Sequence, residues 1–349
     1  MTERDLIAWR GYWPASPTPF DSAGALDRPA LKETVRLYID HGVHGILVNG
    51  TTGEWWAQSL PEREDVARAA VDAARGAVPV VVGVTHYLLD ESVRLAHSAA
   101  EAGASGVLST VPPYVNPTDR EALHWYRQLA ARSPLPVMVY NWPRGVGVDL
   151  PADVLAELAR TENIAAIKES SGDELKTLAV LERVAGQVRF FARFVSRRGL
   201  AVLRELGGDG NIDGGGVGAI FGSGFYDAVW SADYPRARDL AARYQAVSGA
   251  LVRADYSGRF GSPVAQVKAV MRVLGQPGGF VRPPLLEVAD SVAKAAVEGA
   301  LAGSGLLAEL AARGGQPAWG HSGQGLETPG SETTPGLETT PGLETGCGS

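Results

Sequence analysis

Residues 163–170 read Asn-Ile-Ala-Ala-Ile-Lys-Glu-Ser, a short apolar run with a lysine at its polar end. If this run is a strand buried on both faces, as parallel strands usually are, Lys168 lies at its C-terminal end, where barrel enzymes place their chemistry. Lysine is scarce in this chain, because most of its 32 basic residues are arginine. A lysine in a poorly solvated site can become a neutral nucleophile, which an arginine cannot do. The alternative is a lysine that forms an ion pair with Glu169 or another acid.

Short β-branched runs alternate with longer segments rich in alanine and arginine over roughly the first 220 residues, the pattern of repeated strand–helix units. The strand candidates are 12–16, 45–49, 78–84, 106–110, 136–140, 163–168, 188–194 and 210–214. The helix candidates between them include 28–40, 61–75, 90–102, 119–132, 151–160 and 172–185. Eight such units predict an α/β fold, a (β/α)8 TIM barrel. An open, doubly wound parallel sheet is the alternative.

Beyond the barrel the composition changes twice. Segments 232–254, 262–274 and 284–313 have the composition of helices and predict a C-terminal helical subdomain. Residues 325–342 then repeat a six-residue unit (GLETPG, SETTPG, LETTPG), which cannot bury enough apolar surface to offset its ordering entropy. The predicted domains are therefore a barrel at 1–222, a helical subdomain at 223–313 and a disordered tail at 314–349, of natural or cloning origin.

Charge, cysteine content and hydropathy argue against a nucleic-acid-binding, disulfide-rich, metal-binding or membrane-spanning protein. The net charge of −7 is spread among interspersed acids and bases, which does not suggest a nucleic-acid surface. The single cysteine, Cys347, allows no disulfide within one chain, and His41 and His44 lack the spacing of a helical metal pair, so we expect no metal site. The polar N-terminus and the absence of a long apolar run predict a soluble, cytoplasmic protein that neither spans a membrane nor binds nucleic acid.

A possible anion cradle follows the second strand candidate. Residues 50–54 read Gly-Thr-Thr-Gly-Glu, so two glycines bracket two hydroxyls. Backbone N–H groups can then approach a small anion such as a carboxylate while the threonines add donors. The alternative is a tight turn between a strand and a helix. The segment is not a P-loop, because no Gly-Lys-Ser/Thr follows.

The ends of the fifth and sixth strand candidates place a phenol beside an amine. Residues 140–143 read Tyr-Asn-Trp-Pro, and Tyr140 is the last residue of its strand candidate. A phenol can relay a proton when a neighbouring hydroxyl orients it. Together with the cradle and Lys168, it supplies what Schiff-base chemistry on a 2-oxo acid needs.

Five short motifs give the chain a resemblance to a known family. In order and approximate spacing it resembles the dihydrodipicolinate synthase/N-acetylneuraminate lyase family of pyruvate-dependent class I aldolases, from about residue 10 to about residue 300. The motifs are Thr18-Pro19-Phe20, the 50–54 segment, Pro113-Tyr114, Tyr140-Asn141-x-Pro143 and Ile167-Lys168-Glu169-Ser170.

The resemblance implies roles for individual residues. It implies a homotetrameric or homodimeric barrel in which Lys168 forms a covalent imine with pyruvate. Tyr140 would be the general acid/base and Thr51 would link to its hydroxyl. Thr51 and Thr52 would bind the pyruvate carboxylate, largely through backbone N–H groups. The further residues expected to border the substrate are Gly50, Trp142, Ser16 and, through its backbone carbonyl, Ile212.

Three departures separate this chain from the lysine-pathway synthases of that family. Gly145 stands where their arginine binds the second substrate, with Arg144 one position earlier. Val115 stands where a second tyrosine would reach across a subunit interface. Near the seventh strand candidate, residues 191–194 replace the usual Ser-Gly-Asp-Asp segment. Lysine-pathway synthesis is therefore not the expected activity.

Aromatic residues gather near the predicted barrel mouth instead: Trp55, Trp56, Trp142, and Phe191 or Phe194. If Trp142 and one neighbour line the pocket, the acceptor aldehyde should be apolar or aromatic rather than a sugar. Packing between helices and barrel, or subunit contact, is the alternative role for Trp55 and Trp56. Asp213 and Arg193 are further candidates for specificity.

The leading hypothesis is a class I aldolase or lyase that makes or breaks a carbon–carbon bond to C3 of pyruvate, with an aldehyde as the other partner. It needs no metal or organic cofactor, because the imine on Lys168 is itself the electron sink. A dehydratase of a 2-oxo sugar acid that uses the same imine is the second enzymatic hypothesis. A barrel that binds 2-oxo acids without turnover is the third hypothesis.

Overall fold

Eight parallel strands close into a barrel in chain order in a computed structural model that describes residues 2–313. The strands are β1 Gly11–Ala15, β2 Ile46–Val48, β3 Val80–Gly83, β4 Gly106–Ser109, β5 Val137–Asn141, β6 Ile164–Glu169, β7 Arg189–Phe191 and β8 Gly210–Gly214. Strand β8 pairs with β1 and so closes the sheet. This confirms the predicted (β/α)8 TIM barrel and excludes the open sheet. The tail predicted at 314–349 lies outside the described residues.

Helices on the outside of the barrel begin at clear capping signals. Ser59 and Thr118 accept from backbone N–H groups of Glu62 and Glu121, whose side chains bond back to the cap residues, so both helices start with a capping box. The helices of the barrel layer are α1 Arg28–Asp40, α2 Leu60–Ala74, α3 Leu89–Glu101, α4 Asp119–Arg132, the short α5 Pro143–Val146, α6 Ala152–Leu158, α7 Glu174–Val184, α8 Arg197–Glu205 and α9 Ala219–Trp230.

The barrel interior is filled by side chains. One buried cluster gathers inward-facing residues from all eight strands, among them Trp13, Met138, Phe191 and Ile212. This packing leaves the C-terminal ends of the strands as the place for polar chemistry.

Up to residue 313, four more helices follow the barrel: α10 Tyr234–Leu251, α11 Pro263–Val273, α12 Asp290–Ser304 and α13 Leu306–Ala312. The segment 284–313, predicted to be helical, contains two helices, and its first residues, 284–289, are not helical. Gly305 adopts a left-handed conformation with φ +73°, which ends α12 and begins α13. The predicted boundary at residue 222 falls inside α9, and the division into a barrel and a helical subdomain stays a prediction.

A helix that crosses a membrane must be long and apolar. Within residues 2–313 no helix meets these requirements by itself, while α12 and α13 together satisfy them despite a 74° bend between them.

Candidate active site

Lys168 lies near the C-terminal end of β6, side by side with Tyr140 of β5. The strand register pairs the two residues, and the Lys168 ammonium nitrogen lies 4.0 Å from the centre of the Tyr140 ring. Lys168 is only 7% exposed. Burial lowers the pKa of Lys168 from 10.5 to about 7, and the nearby charge of Asp213 only partly opposes this. At neutral pH a large fraction of this amine is therefore uncharged and able to act as a nucleophile.

The predicted alternative, an ion pair between Lys168 and Glu169, is absent. The Glu169 carboxylate instead accepts from Asn141 Nδ2 at 2.8 Å and from the Ser171 backbone N–H at 2.6 Å. Within residues 2–313 no carboxylate oxygen lies within 4.0 Å of the Lys168 nitrogen as an ion-pair partner. The Asn141 amide donates at 2.8 Å to Asp149 as well, so this polar network ties the ends of β5 and β6 together. It holds the strand ends in place and leaves the amine free.

Tyr140 is a neutral phenol at ordinary pH. It is buried, and burial raises its pKa far above the usual 10. Hydrogen bonding to the Thr51 and Ser170 side chains opposes this rise in the Tyr140 pKa without cancelling it. The Thr51 side chain therefore lies close enough to the phenol to affect its pKa, and so does that of Ser170, which the sequence analysis did not single out.

The loop after β2 carries the predicted cradle. Asn49 and Glu54, on either side of it, have positive φ values of 54° and 53°. Gly53 has no room for a side chain, because a methyl group there would lie 3.0 Å from the Asn49 backbone nitrogen. The conformation of the loop thus depends on residues that can adopt a left-handed backbone and, at Gly53, on a residue without a side chain. Thr51 and Thr52 of this loop line the cavity described below.

A buried ion pair anchors the cradle loop from a distance. Glu54 and Lys268 of α11 are both fully buried, and their charged atoms lie 2.5 Å apart. The Lys268 ammonium also donates to the backbone carbonyls of Thr18 at 2.8 Å and Phe280 at 2.6 Å. Glu54 in turn accepts from the Arg282 backbone N–H at 3.1 Å. The loop after β2 is therefore held by segments that follow the barrel in sequence.

The functional side chains open into one cavity of about 350 Å³ at the C-terminal ends of the strands. Of the predicted site residues, it is lined by Lys168, Tyr140, Thr51, Thr52, Trp142 and Ile212. Gly50 and Ser16 are buried and are not among the lining residues. The Ser16 hydroxyl donates to the Pro17 carbonyl at 2.9 Å.

Aromatic residues form one wall of the cavity, as expected for Trp142. Its ring stacks on Tyr140 with centroids 5.8 Å apart and an interplanar angle of 17°. Trp56 also lines the cavity, whereas Trp55 does not. The prediction that Phe191 or Phe194 lies at the mouth is wrong. The Phe191 ring is fully buried against Trp13 in the barrel core, at a centroid distance of 5.3 Å, and Phe194 is buried against Phe190.

The apolar roof of the cavity comes from beyond the barrel, and the sequence analysis missed it. It is formed by α10, α11 and the turn between them, through Tyr244, Val247, Leu251, Tyr256, Val264 and Val267. The only sequence signal was the apolar periodicity of these helices, which also fits ordinary packing against the barrel.

Asp213 and Arg193, the two specificity candidates, both line the cavity. Burial raises the pKa of Asp213. The charge of Arg193, a hydrogen bond with Asn211 and the charge of Lys168 each oppose this rise. Asp213 forms no ion pair within 4.0 Å in the described part of the chain. Its carboxyl group is thus a second titratable group beside Lys168. No group of three or more His, Cys, Asp or Glu residues that could hold a metal ion occurs between residues 2 and 313.

Comparison with known proteins gives a consistent picture. The family profile described as "Dihydrodipicolinate synthetase family" matches residues 8–301. An uncharacterized DapA-like lyase of Rhizobium meliloti is 30% identical over 81% of this chain and 92% of its own length. A 4-hydroxy-tetrahydrodipicolinate synthase of Methanoculleus marisnigri is 34% identical over 81% of this chain and 95% of its own length. The crystal structure of the chloride-inhibited dihydrodipicolinate synthase from Acinetobacter baumannii, complexed with pyruvate, superposes with a TM-score of 0.74 at 25% identity, covering 85% of this chain and 99% of that one.

Proposed function

The chain belongs to the dihydrodipicolinate synthetase family, and we propose that it is a class I aldolase or lyase that makes or cleaves a carbon–carbon bond to C3 of pyruvate through an imine on Lys168. The observation that carries this proposal is the buried amine of Lys168, whose pKa is lowered to about 7 by burial, 4.0 Å from the ring of a neutral phenol. A 2-oxo acid is the natural partner of such an amine, because imine formation requires an uncharged nitrogen and a carbonyl carbon.

The reaction can be followed in the cleavage direction from the residues that line the cavity. The Lys168 nitrogen adds to the C2 carbonyl of a 4-hydroxy-2-oxo acid, and loss of water leaves a protonated imine. Tyr140 accepts the proton of the 4-hydroxyl group, the C3–C4 bond breaks, and its electron pair moves toward the imine nitrogen to form an enamine. The aldehyde leaves, C3 is protonated, and water releases pyruvate from Lys168. Thr51 and Thr52 bind the carboxylate of the substrate through this sequence.

The acceptor aldehyde is proposed to be apolar or aromatic. Trp142 and Trp56 line the cavity, and the roof adds Val247, Leu251 and Val264. Burial of apolar surface contributes about 25 cal/mol per Å², so such walls favour a hydrocarbon or aryl group over a polyhydroxylated sugar. Gly145, which stands where the resemblance expects an arginine, also lines the cavity and carries no charge, so the lining arginines are Arg144 and Arg193 instead.

Several finer expectations belong to this proposal. The imine on Lys168 supplies the electron sink, so the proposed reaction uses no metal or organic cofactor. The proposed protein is a cytoplasmic homotetramer or homodimer whose partners are a 2-oxo acid and an aldehyde, without nucleic acid or membrane. Size measurement in solution at enzyme concentrations used for assay tests the assembly.

Reductive trapping tests the proposal directly. Borohydride reduction with pyruvate present should attach a pyruvate-derived mass to Lys168, located by peptide mass spectrometry. Lys168→Ala should form no adduct, while Lys32→Ala, which changes a half-exposed lysine on α1, should form the same adduct as the wild type. No adduct in the wild type, or an equal adduct in Lys168→Ala, would overturn the proposal.

A product assay then separates the two enzymatic hypotheses. Incubation with pyruvate and a panel of aliphatic and aromatic aldehydes should yield 4-hydroxy-2-oxo acids whose carbon count is the sum of both partners. Turnover of a 2-oxo sugar acid with loss of water and no aldehyde release would favour the dehydratase instead. Adduct formation without consumption of any 2-oxo acid would leave only the binding role.

A further inference from the structure

A second phenol stands close to the reaction site. Tyr256 lies in the turn between α10 and α11 and has a positive φ of 62°. The turn is closed by a hydrogen bond from the Arg253 N–H to the Ser257 carbonyl at 2.8 Å and by a bridge between Val252 and Gly258. A residue other than glycine in this conformation is uncommon. The Tyr256 side chain is half-buried and lines the same cavity as Lys168.

Three contacts hold the Tyr256 ring beside the strand ends. The Trp142 ring, which stacks on Tyr140, meets Tyr256 edge-on with centroids 5.0 Å apart. The Arg193 guanidinium carbon lies 4.5 Å from the centre of the Tyr256 ring. A methyl group on Gly172 would lie 3.6 Å from the ring edge, so the ring rests against the loop that follows β6. Ser170 begins this loop, and its backbone N–H donates to the Asn141 carbonyl at 3.0 Å.

Ser170 lines the same cavity as the two phenols, Tyr140 and Tyr256. Hydrogen bonding to the Ser170 side chain lowers the pKa of Tyr140 and also that of Tyr256, in each case against a larger rise caused by burial. The net effect on Tyr256 is a pKa of about 12. Both phenols are therefore protonated at neutral pH. Each phenol can accept a further proton only if it donates its own hydroxyl proton to a neighbour at the same time.

Because Tyr140 is buried, the proton that it passes on needs a route to water. We propose that Tyr140, Ser170 and Tyr256 form a hydroxyl relay within one chain, and that Tyr256 is its outer member at the cavity mouth. The proposal rests on the proposed function, since it concerns protons that enter or leave the pyruvate imine on Lys168. Tyr256 does not touch the reacting atoms, so it is a positioning and relay residue rather than a catalytic one.

The simplest step that uses the relay is the exchange of a C3 proton of bound pyruvate. The C3 proton moves to the Tyr140 oxygen while the C3–H electron pair forms the C2–C3 double bond of the enamine and the imine nitrogen takes the displaced pair. The Tyr140 proton moves to the Ser170 oxygen, the Ser170 proton to the Tyr256 oxygen, and the Tyr256 proton to water. In D2O the reverse sequence returns a deuteron to C3.

Deuterium incorporation into the pyruvate methyl group, followed by NMR, tests the relay with pyruvate alone. Tyr256→Phe keeps the ring that packs on Trp142 and removes only the hydroxyl, and Ser170→Ala removes the link. Each should slow the exchange by about 100-fold, the low side of what a positioned proton carrier contributes. The double variant should be no slower than either single one, because the two groups act in series. Tyr234→Phe, on the first turn of α10, is the matched control and should exchange at the wild-type rate.

Reductive trapping in the same samples keeps the two proposals apart. Tyr256→Phe and Ser170→Ala should form the borohydride adduct with pyruvate to the wild-type extent. A Tyr256→Phe protein that exchanges at the wild-type rate, or single effects that multiply in the double variant, would overturn the relay. Loss of the adduct in Tyr256→Phe would also overturn it, since the phenol would then serve pyruvate binding. Failure of the wild type to form an adduct refutes the proposed function instead.

Discussion

Replacement of Lys168 by methionine should abolish imine formation and at the same time stabilise the fold. Burial lowers the pKa of this amine from 10.5 to about 7, so the folded state holds fewer protons than the unfolded chain between these two values. The unfolded state binds more protons in that window, and wild-type stability therefore rises with pH from about 7 to about 10.5. Below pH 7 the Lys168 amine is charged in the folded state as well, and its burial then destabilises the fold to the full extent. Methionine removes that cost and keeps a side chain of similar length.

The size of the effect follows from the two pKa values. Each tenfold difference in proton affinity corresponds to about 1.4 kcal/mol, so the cost approaches about 5 kcal/mol at pH 6 and falls to about 2 kcal/mol at pH 9. The advantage of Lys168→Met over the wild type should accordingly shrink by roughly 3 kcal/mol between these pH values. The packing of methionine itself adds an offset that does not depend on pH.

Urea denaturation of both proteins at pH 6 and pH 9 measures this difference, with free energies extrapolated to water. Lys32→Met, on the outside of α1, controls for the loss of a lysine from the surface. An advantage of Lys168→Met that stays the same at pH 6 and pH 9 would refute the reasoning, because it would mean that the amine is protonated equally in the folded and unfolded chains.

Three further predictions concern other parts of the site. Lys268→Met leaves the Glu54 carboxylate buried without its cation and should lower the free energy of unfolding by about 3–5 kcal/mol, whereas Lys268→Met combined with Glu54→Gln should lose clearly less, as urea denaturation can show. Tyr140→Phe should reduce the rate of pyruvate C3 exchange by about 10²–10⁴-fold, and an exchange rate within a factor of two of the wild type would exclude the phenol as the proton carrier. Trp142→Ala should weaken the preference for aryl over short aliphatic aldehydes in kcat/KM, and an unchanged ratio would show that the indole does not contact the acceptor.

The barrel could be predicted from the sequence because its signal is local and repeated. The short apolar runs that precede Lys168 and Tyr140 are buried parallel strands, and their polar last residues meet at one end of the barrel as a parallel arrangement requires. The pairing of amine and phenol follows from the order of the strands along the chain. The family resemblance is likewise confirmed by the profile match over residues 8–301.

Other features depended on contacts that no local pattern reports. Side chains alternate between the two faces of a strand, and Phe191 of β7 points into the barrel core. It therefore does not reach the cavity, although Arg193, two residues later, does. Tyr256 reaches the site only because a turn with a left-handed residue directs it there. The partner of Glu54 is a lysine on α11, far away in sequence, and helical composition alone could not show that this lysine points inward.

The bond between Glu54 and Lys268 also sets an order of events during synthesis. The cradle loop leaves the ribosome long before α11 does, so a nascent barrel contains an acidic group whose counterion has not yet been translated. The cradle loop can therefore gain this ion pair only after Lys268 has been translated. A stalled or truncated chain that ends earlier would carry Lys168 and Tyr140 but would lack the cation that pairs with Glu54 beside the cradle.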